Sequence, residues 1–413
     1  MSKKTILLIG TYDTKGPELR YLEDCICAQG GNVLSMDISV LGEPDSPTDI
    51  SKHEVAAAAG LSIEEVIALG DENRAFRAMS KGAVARVLGA FGQNRFDAML
   101  AIGGTLGTDL ALDCAQALPL GVPKYVVSTV SYSPLIPPHR LAPDIQMILW
   151  SGGLFGVNSI CKSSLSQAAG AIVGAAKAAV VPDYSKPLIG MTSLGSTCLR
   201  YMKFLTPELE KRGFEVAVFH STGMGGMAFE KLAAEGAFAC VMDFCLQEFG
   251  NLLAGSVASS GADRLTNAGR VGTPQMVAPG ALDLIDLAGW QEVPPQYQDR
   301  PFHEHNRLIK SAVFNASERR AWIREVADRL EQATGPTHFF LPLRGVEEWD
   351  REGQDAYDPA SLAAMNDEAR QVISKVVPLS EVDAHINDVA FSEAVLTQFD
   401  AWVAQGIVSA DRK

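Results

Sequence analysis

The chain has 413 residues, 47% of them hydrophobic and 20% charged, with a formal net charge of −14. That length fits two domains better than one core, and the composition is that of a folded globular protein. Lys and Arg form no extended run, which argues against a broad nucleic-acid or anionic-membrane surface, since both need concentrated positive charge. A phosphorylated ligand remains open, because backbone N–H groups hold anions without contributing to net charge.

The apolar run Thr5 to Ile9 predicts a first strand, ended by Gly10 and the polar loop Thr11 to Gly16. Pro17 suits a first helical position, and Leu19, Leu22, Cys25 and Ile26 recur at helical spacing before a second strand, Asn32 to Ile38. Residues Ser51 to Phe91 read as mostly helical. Phe96 to Ile102 is a buried strand, followed by Gly103-Gly104-Thr105-Leu106-Gly107-Thr108 and a helix through Ala117. Lys124 to Val130 and Ile145 to Trp150 complete a candidate sheet, and an Ala-rich helix from about Val157 to Val181 closes the domain. The stretch from Ala168 to Val181 is too short to span a bilayer.

Pro182 to Pro187 pairs two prolines with polar residues, and the opening pattern then repeats. This places an N-terminal subdomain at 1–182 and a C-terminal one at 187–413. The second contains a strand Leu188 to Thr192, a loop Ser193-Leu194-Gly195-Ser196-Thr197 and a helix Cys198 to Lys211. A strand Phe214 to Phe219 runs into His220 to Gly226. Later strands are expected at Ala237 to Asp243, Gln275 to Ala278, His338 to Leu341 and Val382 to Ile386, with a last helix from Ser392 to Ala404. The expected fold is α/β: two Rossmann-like three-layer subdomains with mainly parallel sheets and a cleft between them.

Ligands of parallel α/β sheets sit where strands end and helices begin. Four loops meet that condition and carry the glycines and hydroxyls a phosphate needs. They supply Thr11, Asp13, Thr14 and Lys15; Gly103, Gly104, Thr105, Gly107 and Thr108; Ser193, Gly195, Ser196 and Thr197; and Gly223, Gly225 and Gly226. None has the Walker consensus or the full dinucleotide fingerprint. Strand-to-helix turns also favour Gly, Ser and Thr for capping alone, which weighs against any one loop more than against four together. Asp13 and Asp109 are candidate Mg²⁺ ligands.

His220, at a strand end beside a glycine loop, is the best candidate for general acid/base work. His303 and His305 lie two residues apart, and His385 follows Asp383. Together they raise a zinc-assisted hydrolysis of a small phosphorylated or carboxylated metabolite, against the simpler reading of hydrogen-bonding histidines. Ser193, Ser221 and Cys198 lack a nucleophile elbow. The seven cysteines are odd in number and scattered, Cys25 and Cys27 included, and fit no zinc knuckle or redox pair. With no signal-peptide core after Met1, a cytoplasmic protein with reduced thiols is expected.

The segments IGTYDTKGPEL, LAIGGTLGTDLAL, VFHSTGMGGMAFEKL, DRLTNAG, PGALD, FHEHN, LPLRGVEEWD and EVDAHIND, spread from residue 6 to residue 388, resemble the Tm-one-like ATP-binding domain family. The family takes its name from a tobamovirus-resistance protein. The resemblance implies two α/β subdomains, binding of ATP or a related nucleotide with possible Mg²⁺, and a homodimer or higher homo-oligomer. It also implies a possible TIM-barrel partner similar to phosphoenolpyruvate hydrolases. An interaction module with a ligand-stabilised fold is a further reading. The chain departs from the family at STVSYSPL, LWSGGLFGVN and DFCLQE, where relatives carry two more carboxylates and three more hydroxyls. In the last of these only Asp243 and Glu248 are kept, which puts metal binding and catalysis in question.

Overall fold

A computed structural model describes residues 3–180, 182, 183 and 185–410. Val181, the expected end of the Ala-rich helix, and Tyr184, within the expected boundary, lie outside the described residues. Two compact units divide after Pro182.

The first unit runs β1 (Thr5–Gly10), α1 (Gly16–Ala28), β2 (Asn32–Asp37), α2 (Lys52–Ala58), α3 (Ile63–Ala68) and α4 (Glu72–Gly92). It continues with β3 (Ala98–Gly103), α5 (Thr105–Ala117), β4 (Lys124–Ser128), β5 (Ile145–Leu149) and α6 (Ser159–Ala178). Its five strands lie in the order β2-β1-β3-β4-β5 and pair only in parallel. Alternate residues of β1 face opposite helical layers, as strand geometry requires. Ile6 and Leu8 pack with Leu19, Leu22 and Ile26 of α1 and Leu165 and Ile172 of α6. Leu7 and Ile9 face Val55 of α2, Met79 and Val87 of α4, and Leu110 and Cys114 of α5. Both faces are covered, so these strands read as unbroken apolar runs.

The second unit opens with β6 (Leu188–Ser193), α7 (Arg200–Lys211), β7 (Glu215–His220), α8 (Met224–Ala234) and β8 (Phe238–Cys245). Then come α9 (Gln247–Ala254), α10 (Asn267–Val271), β9 (Gln275–Gly280), β10 (Leu284–Ala288), β11 (Phe302–His303) and β12 (Ile309–Val313). It ends with α11 (Ala316–Leu330), β13 (Thr337–Pro342), α12 (Pro359–Val376), β14 (Leu379–Val382) and α13 (Val389–Ala404). The six-stranded parallel sheet is ordered β14-β13-β9-β8-β6-β7. Counted by their place in the sheet, its first five strands repeat the 2-1-3-4-5 order of the first unit. Tyr201, Leu205, Phe391 and Phe399 from α7 and α13 cover one face. Ile323, Val326, Met365 and Ile373 from α11 and α12 cover the other.

Two features differ from expectation. The strand expected at Val382 to Ile386 ends at Val382, because His385 turns inward to bond Glu347 and Asp350. A small antiparallel sheet, β10-β12-β11, is inserted between β9 and β13. Its strands are two to five residues long, too short for alternation to show in the sequence.

Candidate functional site

In the first unit the strand order reverses between β1 and β3, so their following loops diverge and leave a crevice at the carboxyl edge of the sheet. A pocket of about 550 Å³ opens there. Eight residues nominated from the sequence line it: Thr11, Asp13, Thr14, Lys15, Gly103, Gly104, Thr105 and Gly107. The sequence reasoning missed the opposite wall, formed by Ser39, Val40 and Leu41 after β2, Ile67 of α3, and Gly70 to Glu72, Ala75 and Phe76 at the start of α4. The strand-end rule would have found Ser39 through Leu41, because they too follow a strand. Nothing local marked the residues on α3 and α4.

The lining combines polar loops after β1 and β3 with Val40, Leu41, Ile67, Ala75 and Phe76, among which Ser39, Asp71 and Glu72 also lie. After the polar loops, helices α1 and α5 begin at Lys15 and Gly104 without any side-chain cap. Helices α2, α3, α4 and α6 are capped by Ser51, Ser62, Asp71 and Asn158. Thr108 N donates to Gly104 O, the first intrahelical bond of α5. The N–H groups of Thr105, Leu106 and Gly107 precede it and point out of the helix end, where the dipole favours negative charge. Gly103 permits this arrangement: a Cβ there would lie 2.7 Å from Gly107 Cα and push the helix off its strand. Val40, Leu41, Ile67 and Phe76 offer a surface for a flat ring.

The polar side chains are partly committed. Thr11 and Thr14 share a hydroxyl hydrogen bond of 2.9 Å. Lys15 Nζ donates to Leu154 O at 2.6 Å and lies 4.2 Å from the Phe155 ring centre. Asp13 Oδ2 accepts from Gly42 N at 3.1 Å, while its buried Oδ1 has no partner. Thr108 faces away: its hydroxyl is buried and 2.6 Å from Ser128 Oγ. Asp109 is held by Arg140 at 2.6 Å and lines a separate, smaller hollow. Asp13 therefore fits a Mg²⁺ brought in by a phosphate, and Asp109 does not. Among the described residues no group of three His, Cys, Asp or Glu side chains could hold a metal ion on its own.

In the second unit the corner after β7 is filled from within. The glycine loop after β7 was expected to present free N–H groups, and that expectation is corrected. Glu248 Oε2 accepts from Gly223 N at 2.8 Å and Gly226 N at 3.2 Å. A Cβ on Gly225 would overlap the His220 carbonyl, and one on Gly226 would overlap the Glu248 carboxylate. These glycines serve close packing. Arg264, fully buried, binds Glu248 Oε1 at 2.7 Å, pairs with both oxygens of Asp243, and lies 3.4 Å from Glu230. Burial raises the Glu230 carboxyl to about 7 against the pull of Arg264, and raises Glu248 as well. Asp243 and Glu248, the two carboxylates kept in DFCLQE, are thus partners of one buried arginine.

In the loop after β6, Ser193 donates to Cys198 O at 2.7 Å and Thr197 is buried. Gly195 and Ser196 are exposed, with Gly195 at φ +43°. Cys198 is buried, bonded to Val346 O, and its thiol pKa is pushed up by burial. A buried neutral thiol is a poor nucleophile. Ser221 is likewise buried and donates to Cys245 O.

The matches to known families follow the same division of the chain. Residues 4–180 match the model of the uncharacterised protein family UPF0261 N-terminal domain, and residues 186–403 match that of its C-terminal domain. The chain belongs to the UPF0261 family. A UPF0261 protein of Brucella melitensis biotype 1 is 54% identical over 98% of this chain and 96% of its own. One from Clostridium tetani is 34% identical over 96% and 98%. The ToMV susceptible protein tm-1(GCR26) of Solanum lycopersicum is 26% identical over 95% of this chain and 55% of its own length. This match accounts for the resemblance to Tm-one-like proteins seen in the sequence.

His220, His303, His305 and His385, the four candidate histidines of this UPF0261 chain, belong to no group of three or more His, Cys, Asp or Glu side chains among the described residues that could hold a metal ion. His220 is exposed at the end of the edge strand β7, with Nδ1 3.4 Å from Ser193 O. His303 stacks on Trp349, ring centres 3.7 Å apart, and its Nδ1 lies 2.9 Å from Asp355. His305 is 6.3 Å from His303 by ring centre. His385 is buried, with Nδ1 accepting from Asn387 N at 3.0 Å. That bond makes Nε2 the protonated nitrogen, donating to Glu347 O at 2.8 Å and Asp350 Oδ1 at 3.0 Å. With both nitrogens spent inside the protein, His385 positions the loop and touches nothing from outside.

Close by, Asp283 is fully buried with neither oxygen hydrogen-bonded, and Glu347 Oε1 is also without a partner. Burial pushes the Asp283 carboxyl to about 7, opposed by Arg319, whose Nη2 is 3.7 Å away. The same cause raises Glu347 well above its ordinary value, and the neighbouring Asp283 adds to it.

Proposed function

We propose that the first unit binds a nucleotide, ATP in the reading favoured by the family resemblance, in the pocket at the β1/β3 switch point. One observation carries this: eight residues nominated for nucleotide binding from two separate loops line a single pocket of about 550 Å³. That volume falls within the roughly 300–1,000 Å³ common to small-molecule sites. In this reading the phosphates rest on the N–H groups of Thr105, Leu106 and Gly107, with Thr11, Thr14 and Lys15 donating beside them. The base lies against Val40, Leu41, Ile67 and Phe76.

Charge shapes how such a ligand enters. Lys15 is the one cation among the lining residues, against Asp13, Asp71 and Glu72. A triphosphate facing three carboxylates needs its own counter-charge, so the reading includes Mg²⁺ bound with the nucleotide and touching Asp13. Magnesium would supply charge neutralisation at the phosphates. The chain's residues bind and orient. A cytoplasmic location and self-association belong to the same proposal, the first supported by free thiols among the described residues.

Calorimetric titration of the purified protein with ATP tests the reading, with and without Mg²⁺. Saturable 1:1 heat that needs Mg²⁺ and weakens at least tenfold in Lys15→Met is the expected result. No heat at millimolar nucleotide, or binding indifferent to Lys15, would count against it.

A further inference from the structure

We infer that the carboxyl edge of the second sheet holds a separate site for a compact oxyanion, the phosphate or carboxylate group of a small metabolite. In this structure Glu348 occupies it.

Three loops build the cradle. Arg200 begins α7 after β6, Arg351 follows β13, and Asn387 follows β14. All three converge on one carboxylate. Glu348 Oε1 lies 3.0 Å from Arg200 Nη2 and 3.2 Å from Arg351 Nε, and its Oε2 accepts from Asn387 Nδ2 at 3.1 Å. The cradle is held from behind. Asn387 Nδ2 also donates to Thr197 O at 2.7 Å, its Oδ1 accepts from Arg200 N at 3.2 Å, and its own N–H bonds His385. Arg351 Nη2 is fixed by Asp388 at 3.0 Å. Arg351 Nε is buried and makes no hydrogen bond of good geometry, so Glu348 satisfies the cradle incompletely.

Two arginine-bound carboxylates of this unit, Glu248 and Glu348, differ in how firmly they are held. Glu248 and Arg264 are both completely buried, and breaking such a pair strands a charge at a cost of several kcal/mol. Glu348 is about one-quarter exposed and Arg200 more than half exposed. Exposed ion pairs are worth at most about 1 kcal/mol, and solvent screens them further. A dianion offered to two guanidiniums can displace a monoanionic side chain there, because Arg forks bind phosphate and carboxylate bidentately. Once Glu348 swings out, Asp388 is the remaining acidic partner in the ion pairs of Arg200 and Arg351 among the described residues, so two guanidiniums stand against one carboxylate. This site does not depend on nucleotide binding by the first unit.

The test is calorimetric titration with inorganic phosphate and, in parallel, malonate, all in a Lys15→Met background so that first-unit binding does not register. Glu348→Ala should bind at least one probe at least tenfold more tightly than the Glu348 parent. Glu348→Gln, which keeps the side chain's shape and removes its charge, should show a smaller gain and serves if the Ala variant is unstable. Adding Arg200→Ala and Arg351→Ala should abolish the gain. Which probe responds separates a phosphate from a carboxylate ligand. The inference is overturned if emptying the cradle brings no gain for either probe, or if the gain survives loss of both arginines.

Discussion

The corner after β3 and the corner after β7 are built from similar material: a parallel strand, a glycine-rich turn and a helix with no cap from its own first residue. After β3, the opening of α5 faces a pocket, and its first N–H groups have no side chain to receive. After β7, the opening of α8 receives Glu248, which Arg264 locks in place. Glycine therefore means two different things here. Gly104 has open space around its missing Cβ, with Thr129 Oγ1 the nearest atom at 3.9 Å. Gly225 has the His220 carbonyl where a Cβ would go. An empty helix start is a binding site only when the protein has not brought its own anion.

This contrast can be broken deliberately. The largest effect is expected from Arg264→Met, which leaves Asp243 and Glu248 buried without their cation. The second unit should lose about 3–5 kcal/mol, measured by denaturant unfolding, with the first unit's transition unchanged. Gly225→Ala should cost about 1–3 kcal/mol by overpacking against the backbone.

The pH dependence comes next. The carboxyls of Glu230 and Asp283 sit at about 7 in the folded protein, and those of Glu248 and Glu347 are also raised. A raised folded value means the protonated form is the one folding favours. For Glu230 and Asp283 the contribution is full below about pH 4, where the unfolded groups are still protonated, and is lost as pH rises through about 7; Glu248 and Glu347 act in the same direction. Acids lowered by arginine partners, such as Asp400 beside Arg212, act in the opposite direction below about pH 4. The thermal midpoint should fall between pH 5.5 and pH 8, and Asp283→Asn should flatten that fall. A midpoint that climbs over this interval would show these groups to be ionised and well paired.

The smallest change in stability carries the sharpest comparison. Gly104→Asp gives α5 the cap that Glu248 gives α8. Stability should rise by a few tenths of a kcal/mol, while nucleotide affinity falls at least tenfold as the introduced carboxylate takes the N–H groups. Calorimetry on the folded variant reads both.

Much of the fold was legible because the strands of a doubly covered parallel sheet are continuous apolar runs. Thr5–Gly10, Asn32–Asp37 and Ala98–Gly103 stand within a residue or two of where apolarity placed them. The inserted sheet was not legible, since β11 has only two residues. One half of the pocket was legible through its glycines and hydroxyls. The other half depends on where α3 and α4 dock, which is a tertiary outcome. The filling of the second unit's corner was hidden for a similar reason. Glu248 and Arg264 are 16 residues apart, and neither carries a local sign of its partner. Of the four candidate histidines, His385 has both ring nitrogens committed to its own loops, which composition alone does not reveal.

Backbone amide exchange with and without saturating Mg²⁺-ATP tests the central claim most directly. The account predicts slowed exchange at residues 11–15, 39–41 and 103–108, with residues 221–227 unaffected. Protection confined to residues 221–227, with the first unit's loops unchanged, would contradict it.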